Sequence, residues 1–259
     1  MRARGPGVSR WLYAWTRGLL APLMRGWFRL QVSGPEHVPE EGAAILAPNH
    51  KSFWDPFFVG MGLRRSVRFM AKIELFRGPL GSLLARLGAF PVRRGTPDEE
   101  SMRTARALLE GGELVVVFPE GTRVDDPDAL AKPRRGAGRL ALDSGAPIVP
   151  VAIEGTADLW LGPFPKPRVV RVAFLPPVAP ASDGDSPAVL IDEHVWPAVA
   201  EEYGRLRALP GVVAASLAGI GIGALVARKR RLARRPQLLG RTELRRLRQR
   251  RARRGWFRR

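Results

Sequence analysis

"ELVVVFP", Glu113 to Pro119, is apolar without a break after its first residue and lies between the glycine pair Gly111–Gly112 and the polar stretch "EGTR". Its length and its three valines fit a strand buried on both faces, because an amphipathic helix of that size would interleave polar residues. Working outward, "TPDEESMRTARALLEGG" (96–112) carries helix punctuation: Thr96 as N-cap, Pro97 at the first helical position, Glu99 completing a capping box and Gly111 closing the helix. On the other side, "GAGRLALDSG" (136–145) reads as a helix closed by Gly145 and "APIVPVAI" (146–153) as a further strand. Upstream, "AAILAPN" (43–49) and "SVRFMAK" (66–72) read as strands, "LFRGPLGSLLARLG" (75–88) as a helix and "AFPV" (89–92) as an extended piece. "VVRVAFL" (169–175) is a last strand, followed by a Pro/Ala/Asp/Gly-rich loop and a helical "IDEHVWPAVAEEYGRLRAL" (191–209) in which Pro197 breaks or starts the helix.

Strand alternates with helix throughout. The expectation is an α/β fold, a mostly parallel central sheet flanked by helices, with functional residues in the loops that leave the carboxyl ends of the strands.

The four parts expected along the 259 residues are unequal. Residues 1–32 form an N-terminal amphipathic segment; 33–208 the α/β domain; 209–227 an apolar helix, membrane-inserted or packed; and 228–259 a basic tail. The net charge of +19 sits mostly in that tail, where 16 Lys and Arg face one acidic residue, Glu243. The body is only mildly basic, so the tail predicts attraction to phosphate-rich surfaces, whether lipid or nucleic acid. Trp11, Trp15 and Trp27 mix with arginines near the N-terminus, which suits an interfacial helix or a helix packed on the protein's own core. The uncharged run Gly211–Ala227 would be about 25 Å long as a helix, short of a hydrocarbon core of about 30 Å, so a shallow insertion is favoured over a single span.

No cysteine is present, which excludes disulfides and a thiolate nucleophile. Three scattered histidines argue against a structural zinc site, and no metal is expected. No G-x-S-x-G elbow occurs, and Ser52 is too close to His50 to serve as its nucleophile. "GAGRLA" matches a dinucleotide pattern but follows "KPRR" rather than a strand, and is set aside.

The chemistry concentrates in "PNHKSFWDPF" (48–57), where His50 precedes Asp55 by five residues. In one continuous helix those side chains would lie about 140° apart, so a turn is needed to bring them together. "DP" supplies it, with Asp55 as an N-cap and Pro56 at the next position; one carboxylate oxygen would cap the helix while the other holds the imidazole. A base without its own nucleophile points to activation of a substrate hydroxyl or of water. Cations follow three of the strand candidates: Lys72, Arg93 with Arg94, and Arg123. They point to a phosphate-bearing substrate.

Four ordered stretches give these residues a family likeness. "NHKSFWDP" resembles the N-H-x-x-x-x-D signature of the glycerolipid acyltransferases, the 1-acyl-glycerol-3-phosphate (lysophosphatidic acid) acyltransferases. "GAFPVRR", "FPEGTR" and "IVPVAI" resemble the second, third and fourth motifs, and the likeness covers about residues 30–176. The resemblance implies that His50, oriented by Asp55, takes the proton from the sn-2 hydroxyl of lysophosphatidate. That oxygen then attacks the thioester of acyl-CoA or acyl-carrier protein, with no acyl-enzyme and no cofactor. It further implies a phosphate site at Glu120, Gly121, Thr122 and Arg123, with Arg93 and Lys72 adding charge, and an acyl-binding role for Pro150. Lysophospholipid, acyl thioester and an anionic membrane surface are the expected partners, on the cytoplasmic face of the cell membrane. Glycerol 3-phosphate, another lysophospholipid or a glycolipid are alternative acceptors. Polyanion binding through the tail is the reading from another class, and leaves the body motifs unexplained.

Overall fold

The computed structural model describes residues 8–93, 98–161, 164–180 and 186–209. Arg94, Thr96, Pro97, the apolar run from residue 210 and the basic tail lie outside these.

Seven strands build the main sheet: β1 (Gln31–Ser33), β2 (Ala44–Pro48), β3 (Val67–Lys72), β4 (Ala89–Val92), β5 (Leu114–Val116), β6 (Ile148–Glu154) and β9 (Arg171–Phe174), in the order β1-β9-β6-β2-β5-β3-β4. A short antiparallel pair, β7 (Trp160–Leu161) and β8 (Phe164–Pro165), stands apart from it. At the centre β2 lies between β5 and β6, with Leu46 opposite Val116 on one side and Val149 on the other. Beyond β5 come β3, with Phe69 opposite Val116, and β4, with Val92 opposite Lys72. All these pairs are parallel, so the loops after β2, β3, β4 and β5 leave from one edge. The β9 strand runs against its neighbour β6, with Val172 opposite Ile153, and β1, parallel to β9, shares its sense.

Alternation along each strand divides the core in two. Leu46, Leu114, Val116, Phe69 and Val151 join Met24, Phe28, Phe58 and Leu84, beneath α1 (Arg10–Trp27), α2 (Asp55–Gly62) and α3 (Gly78–Arg86). Ile45, Ala47, Val115, Val117 and Ile148 join Leu108, Leu109, Leu140 and Ile191, beneath α4 (Glu99–Glu110), α5 (Gly136–Ser144) and the helical run from α6 (Pro187–Val189) to α7 (Trp196–Ala208). Each large aliphatic side chain so buried contributes about 1.5–3 kcal/mol, and "ELVVVFP" feeds both layers at once.

Some boundaries differ from the sequence reading. α3 starts at Gly78, after a 3-10 turn over Ile73–Phe76, because Pro79 suits a first helical turn and not an interior. α4 is capped by Asp98, which accepts the Ser101 N–H at 3.1 Å; the Thr96 and Pro97 assignments fall outside the described residues. Gly111 does close α4, and Gly145, at φ 69°, closes α5. Pro197 sits in the first turn of α7, after a π-helical stretch over Leu190–Val195.

α1 presents two different faces. Leu20, Ala21 and Met24 pack on the core, while Trp11, Trp15, Leu19 and Leu23 repeat every fourth residue on the exposed face. No helix among the described residues is long and apolar enough to cross a membrane.

Candidate active site

β2 ends at Pro48, and the chain curls through Asn49–Ser52 before entering α2. The side chain of Asn49 is fully buried and bridges the diverging ends of β2 and β6: its Nδ2 donates to the Ile153 carbonyl at 2.9 Å and its Oδ1 accepts the Ile153 N–H at 2.7 Å. Each such bond contributes about 1 kcal/mol, and together they fix the starting point of the next residue, His50.

His50 Nδ1 lies 2.9 Å from Asp55 Oδ2, with Asp55 fully buried. The same Oδ2 accepts the N–H groups of Lys51 and Ser52, each at 2.7 Å. An oxygen accepting two backbone N–H groups takes a third donor, so Nδ1 carries the proton and Nε2 presents a lone pair. The His–Asp contact is the one expected; the cap is not. Trp54 occupies the N-cap position, Asp55 is already helical, and its Oδ1 has no hydrogen-bond partner among the described residues. Three donors on the loop side draw the carboxylate backward, away from the helix N–H groups it would otherwise cap.

The loop after β5 closes over this turn. The His50 ring stacks on Phe118, with centroids 3.9 Å apart and planes 26° from parallel. Val124 N–H donates to the His50 carbonyl at 2.9 Å. Glu120 is buried and spans two loops: Oε2 accepts the His50 N–H at 2.6 Å and Oε1 the Ala131 N–H at 2.8 Å. Burial pushes the Glu120 carboxyl above the usual range, opposed by those two N–H groups and by the charge of Lys51. Lys51 donates to the carbonyls of Asp126, at 2.7 Å, and Ala129, while burial lowers its pKa. Tyr203 of α7 completes the clasp, its ring 5.4 Å from Lys51 Nζ and its hydroxyl 2.6 Å from the Pro127 carbonyl. Its own pKa is pushed up to about 12 by burial.

His50 is 4% exposed and lines two cavities. The first is an apolar slot of about 70 Å³ walled by Phe53, Phe57, Phe69, Leu75 and Leu84, with Lys72 and Arg123 as its cations. The second is a larger cleft of about 520 Å³ with Arg93, Ser101, Thr122 and Arg134 on its walls. Among the described residues no group of three or more His, Asp or Glu side chains is placed to hold a metal ion.

The structure therefore gathers most of the expected residues and divides them. His50 and Asp55 form the pair; Lys72 and Arg123 flank the slot; Arg93, Gly121 and Thr122 line the cleft. Glu120 touches neither cavity, its oxygens being committed to backbone N–H groups, which is where a carboxylate belongs if an anion binds nearby. Pro150 is buried mid-strand opposite Ala47 and lines neither cavity. Arg134, missed in the sequence because "KPRR" has no periodicity, lies against Gly121: a Cβ there would stand 2.8 Å from its Nε, at a φ of +70°.

Residues 29–154 match a family model described as Acyltransferase. The 1-acyl-sn-glycerol-3-phosphate acyltransferase of Bacillus subtilis (strain 168) is 37% identical over 131 residues, which are 50% of this chain and 64% of that protein. Its namesake from Pseudomonas aeruginosa is 30% identical over 170 residues, 63% of this chain and 64% of the relative. The chain thus spans less than two thirds of the length of these relatives. The crystal structure of the 1-acyl-sn-glycerophosphate (LPA) acyltransferase PlsC from Thermotoga maritima shares the fold, with a TM-score of 0.60 at 23% identity, over 76% of this chain and 83% of that one.

Proposed function

We propose that this chain is a glycerolipid acyltransferase, a reading supported by the Acyltransferase family match and the two bacterial relatives, and that it moves a fatty acyl group from an acyl thioester to the sn-2 hydroxyl of lysophosphatidate, giving phosphatidate and a free thiol. The observation that carries this reading is the His50 Nδ1–Asp55 Oδ2 contact of 2.9 Å, with His50 lining both an apolar slot and a larger cleft that carries arginines. His50 Nε2 accepts the hydroxyl proton as the oxygen attacks the thioester carbonyl, and Asp55 stabilises the imidazolium that forms. The C–O bond forms, the C–S bond breaks, and the proton held on Nε2 passes to the departing thiolate. No side chain is acylated.

The slot takes the fatty acyl chain. Lys72 and Arg123, exposed cations on an otherwise apolar wall, take the phosphate of the acceptor. The exposed Trp11, Trp15, Leu19 and Leu23 of α1 rest on the membrane that supplies it. Ser9, at the start of α1, donates its N–H to the Arg86 carbonyl at 3.1 Å, so α1 adjoins α3, whose Leu80 and Leu83 are also exposed.

The test is acyl transfer from labelled oleoyl-CoA to lysophosphatidate in detergent, wild type against His50→Ala. Phosphatidate from the wild type alone is expected. Equal product from both removes His50 as the base. Comparison with lysophosphatidylcholine and glycerol 3-phosphate decides among acceptors.

A further inference from the structure

The two cavities lined by His50 each carry their own cations, those of the cleft being distinct from Lys72 and Arg123 of the slot. Arg134 and Arg93 line the same cleft with Thr122 and His50. Arg134 makes no side-chain hydrogen bond or ion pair among the described residues, although its backbone is fixed, donating to the Pro119 carbonyl at 2.7 Å. Its guanidinium rests on Gly121, where a side chain would displace it. Arg93 is less available, lying 3.5 Å from Glu100. The one acid lining the cleft, Asp98, is engaged by the Arg93 N–H at 2.6 Å and the Ser101 hydroxyl at 2.7 Å. The net result is a roomy, cation-bearing cleft lined also by His50, in which the Arg134 guanidinium is without a side-chain partner among the described residues.

We infer that this cleft seats the polar arm of the thioester donor, with Arg134 as the ligand of its phosphopantetheine phosphate. The assignment rests on the acyl-transfer reading and follows from the shape of such a donor. Its thioester joins an apolar chain to a long amide-rich arm ending in phosphate, so a donor held at His50 needs an apolar cavity on one side and a polar, cationic one on the other. The slot, at about 70 Å³, suits a narrow chain; the cleft, at about 520 Å³, has room for the arm. The acceptor phosphate stays with Lys72 and Arg123 on the slot side, so each phosphate meets its own guanidinium. CoA and acyl-carrier protein share this arm, and the cleft fits the shared part.

The test uses the full chain in detergent. CoA alone is titrated calorimetrically into wild type, Arg134→Ala, Arg123→Ala and Arg135→Ala; Arg135 pairs with Asp192 at 3.6 Å and lies outside the cleft. Arg134→Ala is expected to weaken CoA binding about tenfold, the loss of one charge-assisted phosphate contact, with the other two variants unchanged. In turnover, Arg134→Ala should raise the KM for the donor and leave that for lysophosphatidate alone, Arg123→Ala should do the reverse, and Arg134→Lys should recover part of the loss. A donor effect common to acyl-CoA and acyl-carrier protein assigns the pantetheine phosphate, and one confined to acyl-CoA moves the contact to the nucleotide phosphates. Unchanged CoA affinity, or a raised acceptor KM instead, overturns the assignment. If no acyl transfer occurs with any pair of substrates, the acyltransferase reading fails, while the CoA titration still decides whether the cleft binds this arm.

Discussion

Glu120 Oε2 accepts the backbone N–H of His50 at 2.6 Å, while Oε1 accepts that of Ala131 at 2.8 Å. One carboxylate therefore ties the loop of the base to both ends of the loop that carries Arg123. Glu120→Gln places an amide NH₂ against one of two N–H donors, leaving a buried donor unsatisfied at a cost of about 1–3 kcal/mol. The expected outcome is a lower denaturation midpoint and a reduced kcat with both KM values held. A rise in acceptor KM with kcat intact would return Glu120 to the phosphate site.

The same residue gives a pH dependence of defined sign. Burial raises the folded-state pKa of Glu120 above its ordinary value of about 4.3. Between those two values the folded chain holds a proton that the unfolded chain has released, so this contribution to stability falls as pH rises through the window. The penalty of Glu120→Gln should accordingly be larger at pH 4 than at pH 7. Parallel urea titrations of the two proteins across that range measure it, and a penalty that grows with pH would show that the hydrogen bonds to the ionised form outweigh burial.

Asp55→Asn offers one carbonyl oxygen and an NH₂ to three donors that now share Oδ2. The Lys51 and Ser52 N–H groups keep the oxygen. The amide NH₂ then meets Nδ1, which must accept, and the proton moves to Nε2, where the base needs a lone pair. A kcat loss of about 10²–10⁴ is expected with KM values little changed. Imidazole ¹⁵N shifts should report the switched tautomer; an unswitched ring with full activity would mean Asp55 only braces the turn.

The legible part of this protein is what side-chain periodicity records. "ELVVVFP", "AAILAPN" and "APIVPVAI" became β5, β2 and β6 because a strand covered on both faces needs aliphatic residues at every position. β1 escaped because "QVS" is three exposed residues at a sheet edge, and the antiparallel sense of β9 is a property of the connection, invisible in "VVRVAFL". Within the site, the five-residue spacing allowed the His50–Asp55 contact, but the cap assigned to Asp55 was wrong, since Trp54 holds the N-cap position. Glu120 was grouped with phosphate ligands because the resemblance of "FPEGTR" to the third family motif implied it, while its oxygens meet backbone N–H groups of two loops. Arg134 comes to the cleft from a loop with no repeating pattern, through a contact with Gly121 that only the tertiary fold creates.

Trp11 and Trp15 are 69% and 63% exposed, with ring centroids 5.6 Å apart, on the face of α1 opposite its core contacts. Neither packs on the buried core, so Trp11→Ser/Trp15→Ser should change stability by no more than about 0.5 kcal/mol. Activity on detergent-dispersed substrates should stay within about twofold of wild type, since neither ring lines a cavity at His50. Partition onto phosphatidylcholine/phosphatidylglycerol vesicles should fall at least about tenfold, because the rings supply apolar area at headgroup depth. Cosedimentation at high salt is the discriminating condition: there the attraction of arginines for anionic lipid is screened while burial of the rings is not. A deficit that persists at high salt identifies α1 as the membrane contact. Equal partition of both proteins would place that contact elsewhere on the chain.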